Sequence, residues 1–297
     1  MLVEEYLKPE VIHQIKRLDL RAKFVASGFL HGLHASPTHG FSVQFSEHRR
    51  YTPGDDPRAL DWRVYARTDK YYIRRYEAET NLNGYLVVDL SRSMDYTHRQ
   101  DMTKFDYSVC LAAALAWLML SQQDPVGLVT FSDRIRESVA PRSRRTQLAN
   151  VLSILSQAKP EGKTDLAGSM NQLAAMLRQR SLIMLFSDLM VPNSDVVDSL
   201  LRISGAGHDI IVFHILDEAE VNFPFTGQCR FTDTESDQTI TADAIGVRNS
   251  YLEALNNWRE ELSTRFRQNR IDYVPLDTSQ QFDRALTEYL HSRRSRL

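Results

Sequence analysis

The sequence predicts an α/β fold, a mostly parallel sheet with helices on both sides. Three observations carry the prediction. The runs GYLVVDL (84–90), PVGLVTF (125–131), SLIMLFSD (181–188) and DIIVFHIL (209–216) are short, apolar and rich in β-branched residues, as strands buried on both faces are. Segments of helical length and periodicity separate them. Runs and helices alternate along most of the chain, the signature of parallel strands joined by crossover helices.

In chain order, residues 1 to about 26 predict a helix, with Leu2, Tyr6, Val11, Ile15, Leu18 and Phe24 at roughly helical spacing. Residues 27–80 predict a small strand-and-loop region. Gly28, Gly32, Pro37, Gly40, Pro53, Gly54 and Pro57 punctuate stretches such as FSVQF and YYIRRY there. The main domain is expected over 81–297. After its first strand comes a long helix, 101–122, almost wholly apolar in its second half. A second strand, a short third one (IRESVA) and helices at 145–157 and 165–178 lead to SLIMLFSD. Helix 194–204 precedes DIIVFHIL, and a hairpin-like insertion near 217–247 (CRFTD, TESDQ, TITAD) interrupts before a long helix, 248–268. A last strand, IDYVPLD, and a last helix, 281–293, complete the alternation.

Bulk properties exclude several classes. With 297 residues, 42% of them hydrophobic, the chain can bury a sizeable core and carry an accessory region. A formal net charge of −2 gives no global attraction to nucleic acid or to a membrane surface. Cys110 and Cys229 lie far apart and form no Cys-x-x-Cys pair, so a disulfide framework is not expected and a reducing cytoplasm is. The opening MLVEEYLKPE lacks the apolar core of a secretory signal. The longest apolar run, Val109–Leu120, is short for a bilayer and reads as a buried helix, so no membrane insertion is expected.

The chemistry-bearing residues sit where strands end. The first main-domain strand runs into Asp89-Leu90-Ser91-Arg92-Ser93. In an open parallel sheet, loops at the carboxyl ends of central strands are where ligands bind. One Asp and two hydroxyls at alternate positions offer hard oxygens, suited to Mg²⁺, Mn²⁺ or Ca²⁺ rather than zinc or copper. Thr164, after Gly162-Lys163, and Asp188, at the end of SLIMLFS, occupy equivalent loop ends. Two carboxylates and three neutral hydroxyls would leave a bound cation able to accept a partner's carboxylate. The same residue types also suit a turn or a helix cap. Asp165 reads as a first-turn residue favoured by the helix dipole.

Asp89-x-Ser91-x-Ser93, with Thr164 and Asp188 downstream, resembles the metal-ion-dependent adhesion site of von Willebrand A domains. The resemblance implies a von Willebrand A-like, Rossmann-type fold. It implies direct metal ligation by Ser91, Ser93 and Thr164, with Asp89 and Asp188 acting mostly through water. Upstream, Arg50, Tyr51, Pro53-Gly54-Asp55-Asp56, Arg58, Asp61-Trp62, Ala66-Arg67 and Glu77 closely resemble the bacterial family called domain of unknown function 58 (DUF58). Gln44 stands where an acidic residue is more usual in that family. The family often accompanies MoxR-type AAA+ ATPases. The resemblance therefore implies an adaptor or cofactor of such an ATPase in complex maturation or stress response, gripping a partner's Asp or Glu through Mg²⁺.

Other features read as structural. Interleaved Asp55, Asp56, Arg58, Asp61, Arg63 and Arg67 suit an ion-pair network more than a partner-binding patch. His31, His34 and His39 lack well-placed zinc co-ligands. Tyr71, Tyr72 and Tyr76 suit strand packing, and Phe105, Leu111, Leu115 and Leu118 suit the core. The alternative functional class is a metal-dependent hydrolase or phosphotransferase. Against it, Ser91 stands where aspartyl-phosphate enzymes commonly carry a second Asp, and no His falls near the serines in sequence. No Gly-x-x-x-x-Gly-Lys-Ser/Thr loop is present, so the chain is not expected to hydrolyse ATP, nor to be an enzyme. A scaffold with an empty site is the remaining reading.

Overall fold

The computed structural model describes residues 16–23, 25, 26, 48–50, 72–74, 83–191, 193–282, 286 and 287. The chain divides into two units, Leu33–Asn81, and Met1–Gly32 with Leu82–Leu297. In the smaller unit, β1 (His48–Arg50) pairs antiparallel with β2 (Tyr72–Arg74), His48 opposite Arg74. Of the DUF58-like residues only Arg50 lies among the described ones. The Arg/Asp network, Gln44 and His31, His34 and His39 lie outside them.

In the larger unit six strands form one sheet: β3 (Asn83–Asp89), β4 (Val126–Phe131), β5 (Ile135–Arg142), β6 (Ser181–Ser187), β7 (Asp209–Leu216) and β10 (Ile271–Asp277). Their order is β10-β7-β6-β3-β4-β5, and every pairing is parallel except that of β4 with β5. Counted along this sheet from β5, the order is 3-2-1-4-5-6, a doubly wound arrangement. β4 and β6 are buried at every position, which explains why neither shows polar alternation. β5 is the antiparallel edge strand and is mostly exposed. The α/β expectation is met.

Helices cover both faces. α1 (Lys104–Ser121) lies across β3, β4, β6 and β7, opened by a capping box between Thr103 and Asp106. This helix is long and apolar enough to cross a membrane, but most of it is buried inside the fold. Phe105, Leu111, Leu115 and Leu118 are among its buried residues. α2 (Arg145–Gln157) packs beside α1. On the opposite face, α3 (Leu166–Met176), α4 (Asn193–Gly205) and the long α6 (Ala244–Gln268) contribute Leu166, Met170, Leu173, Leu200, Ile203, Leu262 and Phe266. These pack on Val87, Val129, Leu185 and Val212, which lie side by side on one face because the parallel registers align them. Each such fully buried apolar side chain contributes about 1.5–3 kcal/mol.

The insertion holds α5 (Glu218–Asn222) and a hairpin, β8 (Gln228–Thr232) with β9 (Thr239–Asp243). The long helix begins at Ala244, earlier than the expected 248, because Asp243 caps it by accepting from Ile245 N. Two ends of the larger unit pack onto α1. Ala22, Val25 and Ala26 are buried, and Arg21 reaches Cys110 Sγ at 3.7 Å. Phe282 stacks on Tyr107 at 4.5 Å between ring centroids. Most of the expected helix 281–293 and the first turns of the N-terminal helix lie outside the described residues. Cys110 and Cys229 are both free thiols.

Candidate functional site

The strand order reverses between β3 and β6, and a crevice opens at such a point beyond the strands' carboxyl ends. Asp89 ends β3 and Asp188 follows Ser187, the last residue of β6. Both carboxylates are buried, 0% and 1% exposed. The loop after β3 turns back on itself because Asp89 Oδ1 accepts from Ser91 N at 2.8 Å, and a single 3-10 turn, Arg92–Asp95, follows. That turn sets Ser91 Oγ 3.0 Å from Ser93 Oγ. The Ser93 side chain is near enough to the Asp188 carboxylate to favour its charged form. Asp89, Ser91, Ser93 and Asp188 are thus one connected cluster.

Thr164 reaches the same rim by backbone bonding. Glu161 N donates to Leu90 O at 2.7 Å and Arg92 N to Gly162 O at 3.1 Å, fastening the 161–164 loop along the serine loop. The positive φ of Gly162 (80°) lets the chain turn there. The Thr164 side chain, however, does not join the serines. Its N–H and hydroxyl both donate to Glu235, at 3.1 and 2.8 Å, and Glu235 belongs to the hairpin tip. Asp165 is the N-cap of α3, accepting from Gly168 N at 2.8 Å, so the expected first-turn placement shifts by one position.

The structure adds partners that local sequence does not reveal. Lys104, the first residue of α1, is 1% exposed and donates to Asp188 Oδ2 at 2.8 Å and to Glu220 Oε1 at 2.9 Å. Burial works against its ammonium, but the Asp188 and Glu220 charges outweigh that and raise its pKa. Burial works against the Asp188 carboxylate as well, and Lys104 more than offsets it, holding that group below its ordinary value. His214, on β7, places Nε2 2.9 Å from Asp188 O and Nδ1 2.6 Å from the Tyr273 hydroxyl. A histidine therefore does stand beside the site, contrary to the reading from sequence spacing. Burial, aided by the Arg259 charge, pushes its pKa down to about 3, so the ring is neutral.

Asp89 differs from Asp188 in kind. It accepts from Ser91 N and from Ser187 Oγ (2.6 Å), and among the described residues no Lys, Arg or His pairs with it. Burial, and then the neighbouring Asp188 charge, push its pKa up to about 7. A buried carboxylate without a cationic partner, beside two hydroxyls and a second carboxylate, is a donor set that fits a hard divalent cation. Among the described residues no three His, Cys, Asp or Glu side chains gather, so a cation here would have to rely on the hydroxyls as well as the two carboxylates.

Solved structures that this chain is similar to include BatB from Bacteroides thetaiotaomicron, 13% identical, covering 72% of this chain and 99% of that one with a TM-score of 0.47. The SpRpn10 VWA domain is also 13% identical, covering 69% and 93% with a TM-score of 0.38. Uncharacterized relatives in Mycobacterium tuberculosis (Rv1480) and Mycobacterium bovis (Mb1516) are 29% identical over 231 residues, 77% of this chain and 72% of theirs. The family described as Protein of unknown function DUF58 matches residues 47–261, spanning the smaller unit's strands, the Asp89 and Asp188 loops and the hairpin, and the chain belongs to that family.

Proposed function

We propose that this protein is a metal-dependent protein-interaction module. In this reading Ser91 and Ser93, joined by Thr164 once its hydroxyl leaves Glu235, hold Mg²⁺ directly, and Asp89 and Asp188 do so mostly through water. The observation that carries it is Asp89, a fully buried carboxylate whose hydrogen-bond partners among the described residues are all neutral. A bound divalent ion supplies the missing positive charge and a Lewis-acidic face for an incoming Asp or Glu. The chain's own residues do the rest. Ser187 and Ser91 N orient Asp89, while Lys104 and Met190 N (3.2 Å) fix the Asp188 carboxylate. His214 braces the Asp188 backbone.

The partner in this reading is a protein offering a carboxylate, and the family resemblance favours a MoxR-type AAA+ ATPase in the cytoplasm. His214 is not placed to activate a serine nucleophile, because its two ring nitrogens are engaged by Asp188 O and Tyr273. The test is calorimetric titration of Mg²⁺ or Mn²⁺ into wild type and Asp89→Ala, with pull-down of the ATPase in Mg²⁺ and in EDTA. Metal uptake and pull-down are both expected to vanish in the variant while its circular dichroism is unchanged. An ATPase retained equally in EDTA, or by Asp89→Ala, refutes the proposal.

A further inference from the structure

Among the described residues, the hairpin is an element near the site to which the proposed metal grip assigns no role. Its tip, residues 233–238, is a built turn. Asp233 N donates to Gln238 O at 2.8 Å and Asp237 N to Asp233 O at 2.9 Å. The Asp233 carboxylate accepts from Glu235 N at 2.9 Å and from the Ser236 hydroxyl. The base is pinned as well. Phe223, Phe225, Phe231 and Tyr251 form a ring cluster with centroids 4.7–5.7 Å apart, and Arg248 Nη1 donates to Phe223 O at 2.7 Å. A turn so constrained presents its side chains in one direction at little entropic cost.

Two carboxylates on this tip contact groups on the rim of the site, and a third lies within range of a rim charge. Glu235 takes both the N–H and the hydroxyl of Thr164, with one oxygen on each. Asp237 lies 3.5 Å from Arg92 Nη1, in the serine loop. Asp233 feels the charge of Lys163, next to Thr164. A paired N–H and O–H donor flanked by Arg92 and Lys163 is a receptor for a carboxylate. Glu235 satisfies it from within the same chain.

We infer that the Thr164 face, flanked by Arg92 and Lys163, is a docking site for an acidic peptide segment, and that the hairpin tip fills it in cis through Glu235. A partner's acidic segment then binds by displacing the tip, so the hairpin sets the threshold for engagement. The inference rests on the proposed function only in placing partner docking on this rim. The tethered carboxylate competes at an effective concentration in the millimolar range.

The test uses the full chain and a synthetic peptide copying residues 230–240 as the probe. Glu235 is half-buried at a turn and is not part of the core, so Glu235→Ala leaves the core intact. The peptide is expected to bind Glu235→Ala about tenfold or more tightly than wild type, by fluorescence anisotropy. A peptide carrying alanine in place of its glutamate is expected not to bind. Thr164→Val in the Glu235→Ala chain is expected to abolish binding. Equal affinity for wild type and Glu235→Ala, or no binding to either, overturns the inference. Each titration is run in Mg²⁺ and in EDTA. Peptide binding in both supports the docking site while counting against the metal reading. Mg²⁺ uptake by Glu235→Ala without peptide binding does the reverse.

Discussion

Replacing Lys104 by methionine removes one ammonium while keeping an unbranched side chain of similar length. In the native protein that ammonium lies 2.8 Å from Asp188 and 2.9 Å from Glu220, with side-chain exposures of 1%, 2% and 18%. Removing one member of a buried charge cluster leaves the others uncompensated, a loss of about 3–5 kcal/mol. At about 2–4 °C per kcal/mol for a domain of this size, Lys104→Met in EDTA is expected to melt roughly 6–20 °C below wild type. Part of that loss is recoverable. With its internal cation gone, the carboxylate cluster attracts a divalent ion more strongly, and ligand at 100 times its dissociation constant returns about 2.7 kcal/mol. The assay is thermal unfolding by circular dichroism, in EDTA and across a Mg²⁺ titration. Adding Glu220→Gln to Lys104→Met should cost less than the two single losses together, since the second change removes a charge the first left stranded. A Lys104→Met chain melting within about 2 °C of wild type in EDTA would refute the buried-cluster reasoning.

Acid should act through His214. Its pKa is depressed to about 3 by burial and the Arg259 charge, so the stability it contributes is fully present above the unfolded value near 6.5 and is lost as pH falls towards 3. The expected slope is about 1.4 kcal/mol per pH unit over that window, seen as a falling urea midpoint; His214→Gln should flatten it, and an identical slope in that variant rules the assignment out. Two glycines on neighbouring strands should respond differently to alanine. At Gly127 a Cβ would lie 2.5 Å from the Val139 carbonyl of β5, a backbone atom that cannot move without shifting the strand. At Gly84 it would meet the terminal methyl of Met119, a flexible side chain that can turn away. Gly127→Ala is therefore expected to cost about 1–3 kcal/mol and Gly84→Ala less, by chemical denaturation; the opposite ranking would contradict the packing described.

Much of the sheet is legible locally. β4, β6 and β7 announce themselves because a strand covered on both faces has no polar side to show, and the strand boundaries read from sequence match within a residue or two. α2 falls at 145–157 as expected, since its period and flanking residues are local properties. The antiparallel direction of β5 is not local. It follows from a turn over 132–134 and from the edge position, which the short run IRESVA does not encode. The start of α6 was similarly hidden, because Ala244–Val247 continues from a β-strand and only the Asp243 cap marks the change.

At the site, sequence alone singled out the loop residues that carry hard oxygens. Asp89, Ser91, Ser93, Thr164 and Asp188 each stand on a loop that follows or precedes a recognisable element, and parallel strands bring such loops to one edge. Tertiary structure alone decided their partners. Lys104 meets Asp188 across 84 residues and Glu220 across 116, and Thr164 meets Glu235 across 71. Periodicity describes how an element presents its own faces, not which distant charge the packing of α1, α5 and the hairpin will carry against it. A buried lysine in an apolar helix and a glutamate in a surface turn look ordinary in one dimension. Only the fold puts one beneath Asp188 and the other on Thr164.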